Sequence, residues 1–439
     1  MSQASSAGDK TSGKAPTLNI ALHTRYWVRC LKTFLPTGYQ EQDSSRLVLA
    51  FFILTSLDLL GGLETHTTPA ERADYISFIY SCQHPGGGFR SFPGTDFGLQ
   101  HATTPENARW DPASVAGTYF ALGALAILGD DLSRVRRQET LDWIRNLQHP
   151  DGSFGDLAAG GKNATVDGGQ DVRFCFLAVL VCAIVGEEQS ASEAVGKCVD
   201  VDRLKQFILD SQTYDGGIAR KPNCESHAGS TYCAISVLKL LDLLPTDAIP
   251  SLAENTNQVS PTFLQNLLHW LSHRQTTMLY DYRDTDIFDE EDDEEDHTSD
   301  TPGFAVINAT PALPPSLLAF ERMDLYSSDR PITAGLNGRV NKPADTCYSF
   351  WAGATLAILG HGNLIDRDAN RRYLLDKTQH RIGGFGKFPG VPPDILHSAL
   401  ALACLAIHGE PGLKSVDPVF CVSKEVKARL DKVTWKRRD

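Results

Sequence analysis

The stretch Thr140-Leu-Asp-Trp-Ile-Arg-Asn-Leu-Gln148, followed by the turn Gly152-Ser153-Phe154, decides the fold of this 439-residue chain. Its apolar residues recur at helical spacing as far as a glutamine, and glycine then ends the helix and permits the positive φ of a chain reversal. Four further apolar segments end on a glutamine, and all but the third are followed by a glycine turn: Gln83, Gln212, Gln275 and Gln379. A pattern that recurs along the whole chain indicates a repeat architecture.

A second and more apolar helix is predicted after each turn, beginning near Thr118, Arg173, Ser230, Cys347 and His397. A helix that is apolar around more of its circumference is more fully buried, so these helices should form an inner layer and the Gln-terminated helices an outer one. Because every inner helix follows the same kind of turn, their N-termini should lie at one end of the array. The sequence therefore predicts an all-α fold of repeated helix pairs.

The spacing of the glutamines also indicates an insertion. Gln83, Gln148 and Gln212 lie about 64 residues apart, whereas Gln275 and Gln379 are 104 apart. The surplus coincides with an acidic, Pro-rich stretch at about 278–330, which we interpret as an insertion in a connecting loop. We expect a single domain over 17–432, between a disordered N-terminal tail (1–16) and a short C-terminal tail (433–439).

Composition excludes several classes of protein. The net charge is -13, but residues 281–300 hold twelve acidic side chains against one arginine, so the rest of the chain is nearly neutral. An acidic chain of this kind is not expected to bind nucleic acid. No signal peptide or membrane-spanning run is recognisable, so no stable membrane insertion is expected. Ten cysteines without framework spacing are typical of reduced thiols in the cytoplasm.

Asp345, Cys347 and His397 form the first group of candidate chemical residues. Carboxylate, thiolate and imidazole all bind zinc, and three ligands leave the open position that catalytic zinc needs. The alternative is structural, since a cysteine on an apolar helix is usually a core residue and both Asp345 and Asp394 could be helix N-caps. The residues alone leave both interpretations open.

A second group is cationic. Arg339 and Lys342 precede Asp345, His227 heads another inner helix, and Lys387 follows a glycine turn. Such side chains near several helix N-termini would suit a phosphate. Loop arginines and lysines are more often solvated surface charges, but these fall at the same predicted end of the array as the candidate zinc ligands.

Several ordered motifs resemble those of protein prenyltransferase β subunits. They are Gly338-Arg339-Val-Asn-Lys342-Pro-Ala-Asp345-Thr-Cys347-Tyr348-Ser-Phe-Trp351, Glu225-Ser-His227-Ala-Gly-Ser-Thr-Tyr-Cys233, Pro393-Asp394-Ile-Leu-His397, Asp171-Val-Arg173 and Ser44-Ser-Arg46-Leu-Val48-Leu-Ala-Phe-Phe52. The resemblance covers nearly the whole chain apart from its tails and the insertion. It implies an α/α barrel, or toroid, whose inner helices surround an apolar funnel.

The resemblance also implies roles for individual residues. Asp345, Cys347 and His397 resemble the family's ligands of one zinc ion per β subunit, which holds the substrate cysteine as a thiolate. The residues that resemble the family's isoprenoid-diphosphate site are His227, Arg339, Lys342, Tyr348 and Lys387. Those that resemble its isoprenoid and peptide pocket are Arg173, Val48, Phe52, Cys233, Trp351 and Leu396.

Three positions favour the type I geranylgeranyl class over the farnesyl class within this family. The farnesyl enzyme has a Trp that closes the pocket floor at the position of Val48, and an aromatic residue at that of Leu396. At the position of Lys387 the farnesyl enzyme has a magnesium-binding Asp. The ammonium group of Lys387 can neutralise diphosphate directly, so Mg²⁺ is not expected to be required here. The class implies a separate α subunit as heterodimer partner, geranylgeranyl diphosphate, and CaaX proteins ending in Leu or Phe, such as Rho-family GTPases.

Other functions are disfavoured. A farnesyltransferase β subunit is the nearest alternative. The acidic run Asp292-Asp-Glu-Glu-Asp296 fits the magnesium-diphosphate motif of isoprenyl synthases, but we interpret it as an accident of a low-complexity segment. A terpene cyclase would need a protonating Asp-rich motif on the inner helices, which offer none. A non-enzymatic α/α-barrel binding module is expected to lack one or more of the site residues, and here all are present.

Overall fold

A computed structural model of the chain describes residues 16–95, 97, 98, 104, 107, 110–159, 165–245, 258–280, 331–433 and 435. Residues 1–15 of the predicted N-terminal tail, 281–330 of the predicted insertion, and 434 and 436–439 of the predicted C-terminal tail lie outside this set. The helices are α1 Ile20–Lys32, α2 Arg46–Leu59, α3 Leu63–His66, α4 Pro69–Ser81, α5 Val115–Leu128, α6 Arg137–Asn146, α7 Val172–Val185, α8 Ala191–Gly196, α9 Val201–Asp210, α10 Ala228–Leu240, α11 Pro261–Ser272, α12 Thr346–Ile358, α13 Arg367–Arg372 with a π-helical continuation Tyr373–Thr378, α14 Ile395–Ile407 and α15 Lys424–Leu430. Among the residues that the structure describes, the strands form four antiparallel pairs, β1 Leu157–Ala159 with β2 Thr165–Asp167, β3 Gln275–Thr276 with β4 Gly335–Leu336, β5 Phe385–Gly386 with β6 Pro393–Asp394, and β7 Val416–Asp417 with β8 Val422–Ser423.

The helices form two concentric layers. In the inner layer each helix packs against the next and the last packs against the first, which closes a ring of α2, α5, α7, α10, α12 and α14. The helices that precede them in the chain pack outside this ring, namely α1, α4, α6, α9, α11 and α13. The predicted toroid of helix pairs is therefore confirmed. The pair α1/α2 was not among the predicted repeats, because Gly38 comes before Gln40 and Gln42 in the segment between its helices, and no glutamine is followed there by a glycine turn.

Burial follows the pattern that the sequence predicts. Beyond Arg173 on its first turn, helix α7 is apolar on every side, and nearly all its residues are buried between the lumen of the ring and the outer layer. Helix α9 is amphipathic and buries only the stripe formed by Leu204, Phe207 and Ile208. An amphipathic helix of this kind belongs at a surface, so the two layers follow from composition. No helix in the described part of the chain is long and apolar enough to cross a bilayer.

All the inner helices begin at one end of the ring. The first N–H groups of five of them each donate to a carbonyl in the segment that leads to the next inner helix: Leu47 to Ser91, Val115 to Asp156, Val172 to Arg220, Ala228 to Gly338 and Thr346 to Lys387, at 2.9–3.2 Å. The N-termini of neighbouring helices must therefore lie side by side. We call the end of the ring formed by these N-termini the rim.

The repeated glutamines join successive repeats. Gln148 accepts the N–H of Asp200 at 2.8 Å and donates to its carbonyl at 3.0 Å, and Asp200 is the N-cap of α9, the next outer helix. Gly152, at φ +94°, lies so close to α9 that a Cβ would be 2.2 Å from the backbone of Arg203. Gln83, Gln275 and Gln379 make equivalent bonds to residues at the starts of α6, α13 and α1. The motif therefore fixes the step from one repeat to the next.

Candidate active site

Asp345, Cys347 and His397 meet at the rim. Asp345 is the N-cap of α12, Cys347 lies on the first turn of α12, and His397 lies on the first turn of the neighbouring helix α14. One ligand atom from each residue lies within 4.8 Å of the others, and His397 Nε2 is 3.2 Å from Asp345 Oδ1. All three residues are at most 9% exposed. Residues fifty positions apart in the chain therefore form one compact cluster.

Asp394 fixes the orientation of the His397 ring. As the N-cap of α14 it accepts the backbone N–H of His397 at 2.9 Å, and its second oxygen is 2.7 Å from His397 Nδ1. The N–H at Nδ1 therefore donates to Asp394, which turns Nε2 towards Asp345 and Cys347. A carboxylate behind a histidine in this way is typical of zinc sites.

The charges of the cluster fit a bound cation. Burial tends to raise the pKa of Asp345, but the charge of His397 and hydrogen bonds from His397 and Cys347 outweigh it and lower that pKa. Burial tends to lower the pKa of His397, but Asp345 and Asp394 raise it well above its ordinary value. Burial and the Asp345 carboxylate raise the pKa of Cys347 to about 12. The two carboxylates thus make a site that attracts positive charge, and a divalent cation is what would hold the buried thiol as a thiolate.

His227 and Tyr348 face each other across the rim. His227 is the N-cap of α10, and its Nδ1 accepts the N–H of Gly229 at 3.0 Å, so Nε2 carries the proton. His227 Nε2 is 3.0 Å from the hydroxyl of Tyr348, which follows Cys347 directly on α12. A Cβ on Gly338 would lie 2.1 Å from Tyr348 Cζ, so a larger residue at this position would displace the Tyr348 ring. The hydroxyl accepts from His227 and can donate in turn to an anion.

Arg339 and Lys342 lie on the loop between β4 and α12. Arg339 is 3.5 Å from Glu225, two residues before His227, so this loop lies beside the start of α10. The backbone carbonyl of Lys342 accepts a 2.8 Å hydrogen bond from the buried side chain of Asn337. The structure thus brings both cations to the rim, where helix N-termini already favour anions.

Lys387 lies at the same rim but is exposed. Its carbonyl accepts the N–H of Thr346 at 3.1 Å, which places its backbone beside the residue that separates Asp345 from Cys347 in the chain. Its ammonium group lies 5.1 Å from the ring centroid of Phe388. Lys387 is therefore next to the candidate metal site, with its charge in solvent.

The predicted pocket residues lie on the inner helices. Val48, Trp351 and Leu396 are half-buried on helices whose other residues are nearly all buried, as expected of side chains that line a lumen. Phe52 lies one turn beyond Val48 and packs against Phe120.

Two further pocket residues lie on α7 and α10. Cys233 is 7% exposed on α10. Arg173 is exposed on the first turn of α7, where its guanidinium pairs with Asp171 at 2.9 Å. Their roles in binding remain predictions.

Two residues of the site were not predicted in the roles they have. Asp394 was proposed only as a helix cap. It lies three residues before His397 at the start of a helix, and this spacing would have indicated that the two side chains could meet. Tyr39 donates to Asp394 at 3.3 Å from before α2, and no motif signals this contact.

The chain is similar over nearly its whole length to known proteins. Residues 18–422 match the family described as prenyltransferase alpha-alpha toroid domain. The chain therefore belongs to this family of prenyltransferases.

Within the family, its relatives include type I β subunits. The geranylgeranyl transferase type-1 subunit beta of Arabidopsis thaliana is 29% identical over 400 residues, which are 89% of this chain and 86% of that protein. The corresponding subunit of Dictyostelium discoideum is 28% identical over 412 residues, 90% of this chain and 92% of that protein. The structure of Candida albicans protein geranylgeranyltransferase-I complexed with GGPP superposes with a TM-score of 0.70 at 27% identity, covering 95% of this chain and 99% of that chain. The predicted family and the predicted resemblance to type I β subunits are both confirmed.

Proposed function

We propose that this chain is the catalytic β subunit of a type I protein geranylgeranyltransferase. The reaction breaks the C1–O bond of geranylgeranyl diphosphate and forms a C–S bond to the cysteine of a C-terminal CaaX motif, with loss of the thiol proton and release of diphosphate. The observation that carries the proposal is the meeting of a buried Asp-Cys-His cluster and a set of diphosphate-type donors at one rim of an apolar ring. The similarity to type-1 geranylgeranyl transferase β subunits supports the same conclusion.

We assign the metal site to Asp345, Cys347 and His397. Zinc bound there would hold the incoming cysteine sulfur as a thiolate at neutral pH. Asp394 keeps the His397 ring in the tautomer that presents Nε2 to the site. The burial of all three side chains excludes bulk water, which strengthens every electrostatic interaction at this point.

We assign the diphosphate to the cationic side of the rim. Arg339 and Lys342 supply positive charge, and the His227–Tyr348 pair supplies an oriented donor. Negative charge grows on the diphosphate as the C1–O bond breaks, so donors that are already in place stabilise the transition state more than the ground state. Lys387 adds an ammonium group at the same rim, and we propose that it makes Mg²⁺ unnecessary.

The lumen would hold the isoprenoid. Val48 leaves more space than a tryptophan, which favours a twenty-carbon over a fifteen-carbon chain. We propose proteins with a CaaX terminus ending in Leu or Phe as the acceptors, and a prenyltransferase α subunit as the partner.

Co-expression with candidate α subunits, followed by a transfer assay on a CaaX peptide ending in Leu, tests the proposal. We expect about one zinc per heterodimer, and a higher kcat/KM with geranylgeranyl than with farnesyl diphosphate. Transfer should persist when Mg²⁺ is removed. Absence of transfer from either lipid, in a heterodimer that contains zinc, would contradict the proposed function, and a preference for farnesyl would favour the farnesyltransferase alternative.

A further inference from the structure

Strands β5 and β6, with their connection 387–392, form a hairpin that carries two residues of the candidate site. Lys387 is the first residue of the connection, and Asp394 is the last residue of β6. The carbonyl of Phe388 accepts the N–H of Val391 at 3.4 Å, which closes the turn. The backbone at Lys387 is thus held in place, but its side chain is a flexible four-carbon stem whose direction must be set by its neighbours.

The ring of Phe388 lies beside the ammonium group of Lys387. The Nζ atom is 5.1 Å from the ring centroid, which is within the range of a cation–π interaction. Lys387 is exposed, so this contact is weak by itself, but it restricts the directions that the side chain takes. The other sides of the ammonium group stay open to an anion. A side chain that is already restricted loses less conformational entropy when it binds one.

The ring of Phe388 is held in turn by Tyr280. The two ring centroids are 4.2 Å apart and the ring planes make an angle of 63°, which is an edge-to-face pair. Both side chains are half-buried. Tyr280 comes from the segment after β3, which is distant in the chain from the hairpin, so the contact fixes the Phe388 ring from outside its own turn.

The segment 277–280 is attached to the rim beside the metal cluster. It follows β3, which pairs with β4, and the carbonyl of Met278 accepts the N–H of Ala344 at 2.9 Å. Ala344 is buried and directly precedes Asp345. Tyr280 is therefore held by the same part of the structure that holds the metal ligand at the start of α12, and it passes this support to Phe388.

We propose that Phe388 is a positioning residue for the ammonium group of Lys387, and that Tyr280 holds the Phe388 ring in the orientation this requires. A lysine that neutralises a diphosphate without a metal ion must be placed accurately, and its flexible side chain does not achieve this alone. The inference rests on the proposed function, since it assumes that Lys387 binds the diphosphate. It assigns roles to two residues that lie outside the predicted site.

A double-mutant cycle tests the inference through equilibrium binding of geranylgeranyl diphosphate to the heterodimer. Phe388→Ala should raise the Kd by about fivefold, which is the scale of a cation–π contact. Lys387→Ala should raise the Kd by about tenfold or more, because a charged donor is lost. The double variant should bind no more weakly than Lys387→Ala alone, since the ring acts only through the ammonium group. Tyr280→Ala should have a smaller effect that also disappears without Lys387.

Phe388→Leu keeps the test valid if the alanine variant does not fold. Leucine retains the apolar bulk but has no π face, so it should weaken binding in the parent and not in the Lys387→Ala background. Phe388→Tyr keeps the ring and should retain the Kd of the parent. Tyr214→Ala is the matched control, because it removes a fully exposed aromatic ring from the turn after α9 and should leave the Kd unchanged.

Equal losses of affinity from the Phe388 variants in the parent and in the Lys387→Ala background would overturn the inference, because they would show that the ring supports the fold and not the ammonium group. A folded Phe388→Leu heterodimer with the parent's Kd would overturn it as well. An unchanged Kd in Lys387→Ala would remove both the diphosphate role of Lys387 and the inference. Transfer by the unaltered heterodimer is measured separately. Its absence would count against the proposed function, whereas additive effects on the Kd count only against the role of Phe388.

Discussion

Asp345 and Asp394 each cap the start of an inner helix and also take part in the candidate metal site. Each caps an inner helix by accepting a backbone N–H at 2.8 or 2.9 Å, and each also faces His397. The structural and the chemical interpretation of these residues were alternatives at the level of sequence, and the structure satisfies both. A side chain fixed by a helix end is preorganised, which is what a metal site needs.

Cys347→Ala should remove the zinc while leaving lipid binding intact. The sulfur is one of three candidate ligands, and two remaining ligands hold zinc much less tightly. We expect metal analysis of the heterodimer to fall from about one zinc to near zero, with loss of thiol alkylation. Binding of geranylgeranyl diphosphate should persist, because its proposed donors are His227, Arg339, Lys342, Tyr348 and Lys387 rather than the three metal ligands.

Cys404→Ala is the control for this variant. Cys404 is a buried cysteine on α14, two turns beyond His397, and it bonds the carbonyl of Ser349 rather than the cluster. Its loss should leave the zinc content unchanged. If Cys347→Ala kept its zinc and its turnover, the ligand assignment would be wrong.

Val48→Trp should shift the lipid preference towards fifteen carbons. Val48 is half-buried at the start of α2, one turn before Phe52, and a tryptophan there would fill part of the lumen. The ratio of kcat/KM for geranylgeranyl to that for farnesyl diphosphate should fall by about tenfold or more, given the apolar contact that the longer chain would lose. Val48→Ala keeps the space open and should preserve the ratio. An unchanged ratio in the tryptophan variant would place the length limit elsewhere.

The sequence predicted the residues of the site better than their contacts. Ligand types and their order along the chain are visible in motifs, so Asp345, Cys347 and His397 could be proposed together. The approach of Tyr39 to Asp394 depends on how the segment before α2 packs beside α14 in the closed ring. Packing of this kind leaves no mark on local sequence.

At the scale of elements, the loop between β4 and α12 is closed by one side chain. Asn337 donates from its amide to the carbonyl of Lys342 at 2.8 Å, and its own N–H donates to the carbonyl of Arg274 at 2.8 Å. Asn337 is 5% exposed, so these bonds are shielded from water. The side chain thus ties both ends of the loop that carries Arg339.

Asn337→Ala should weaken lipid diphosphate binding more than turnover. Loss of one buried hydrogen bond costs about 1 kcal/mol or somewhat more, and a mobile loop places its cations less accurately. We expect the KM for geranylgeranyl diphosphate to rise by roughly tenfold, with a smaller fall in kcat and unchanged zinc content. Asn341→Gly is the control, since it removes an exposed amide of the same loop at φ +61°, where glycine fits. Equal effects of the two variants on KM would contradict the proposed role of Asn337 in holding the loop.

The helix pairs were predictable because their periodicity is local, but the reason for the repeated glutamine was not. The glutamine side chain bonds to the start of the next outer helix, about 52 residues further on in the first repeats. A contact across that distance cannot be derived from the helix in which the glutamine lies. The same limit explains why the pair α1/α2, which lacks the motif between its helices, was missed.

At the scale of the whole molecule, the chain leaves and re-enters the ring at one place. Strands β3 and β4 pair, so residues 276 and 335 lie side by side at the base of the predicted insertion. The described residues on either side of the connection therefore belong to one repeat, and the described inner helices close the ring among themselves. Residues 284–300 themselves lie outside the described part of the chain.

Deletion of residues 284–300 should leave transfer within about threefold of the parent, because loop length is tolerated when both ends are fixed by pairing. The measurement is kcat/KM of the heterodimer on a CaaX peptide. A variant with a neutral linker of the same length separates the effect of charge from that of length. Complete loss of turnover in a folded heterodimer would show that the acidic run takes part in catalysis.

The ring closes between the two ends of the chain, and His23 lies at this closure. Gln379 of the last outer helix bonds the backbone of Asn19 and accepts from His23 Nε2 at 2.9 Å. His23 Nδ1 accepts the N–H of Gly384 at 3.0 Å, and its ring stacks on Phe385 at 4.7 Å. Both ring nitrogens are therefore engaged with the histidine neutral, and protonation of Nδ1 would break the bond to Gly384.

Acid should open the ring at this closure. Burial lowers the pKa of His23 to about 4, although the bond to Gln379 opposes the shift. The unfolded chain binds the proton with a pKa of about 6.5, so stability is complete above that pH, falls as the pH drops towards 4, and levels off below it. Between pH 7.5 and pH 5 the loss from this one group is about 2 kcal/mol. His23→Gln should therefore be less stable at pH 7.5 but lose less unfolding free energy over this range, as measured by denaturant unfolding of the heterodimer at both pH values. The control is His269→Gln, which removes an exposed histidine from α11 and should keep the parent's dependence of unfolding free energy on pH. If His23→Gln showed that same dependence, His23 would not control the loss of stability in acid.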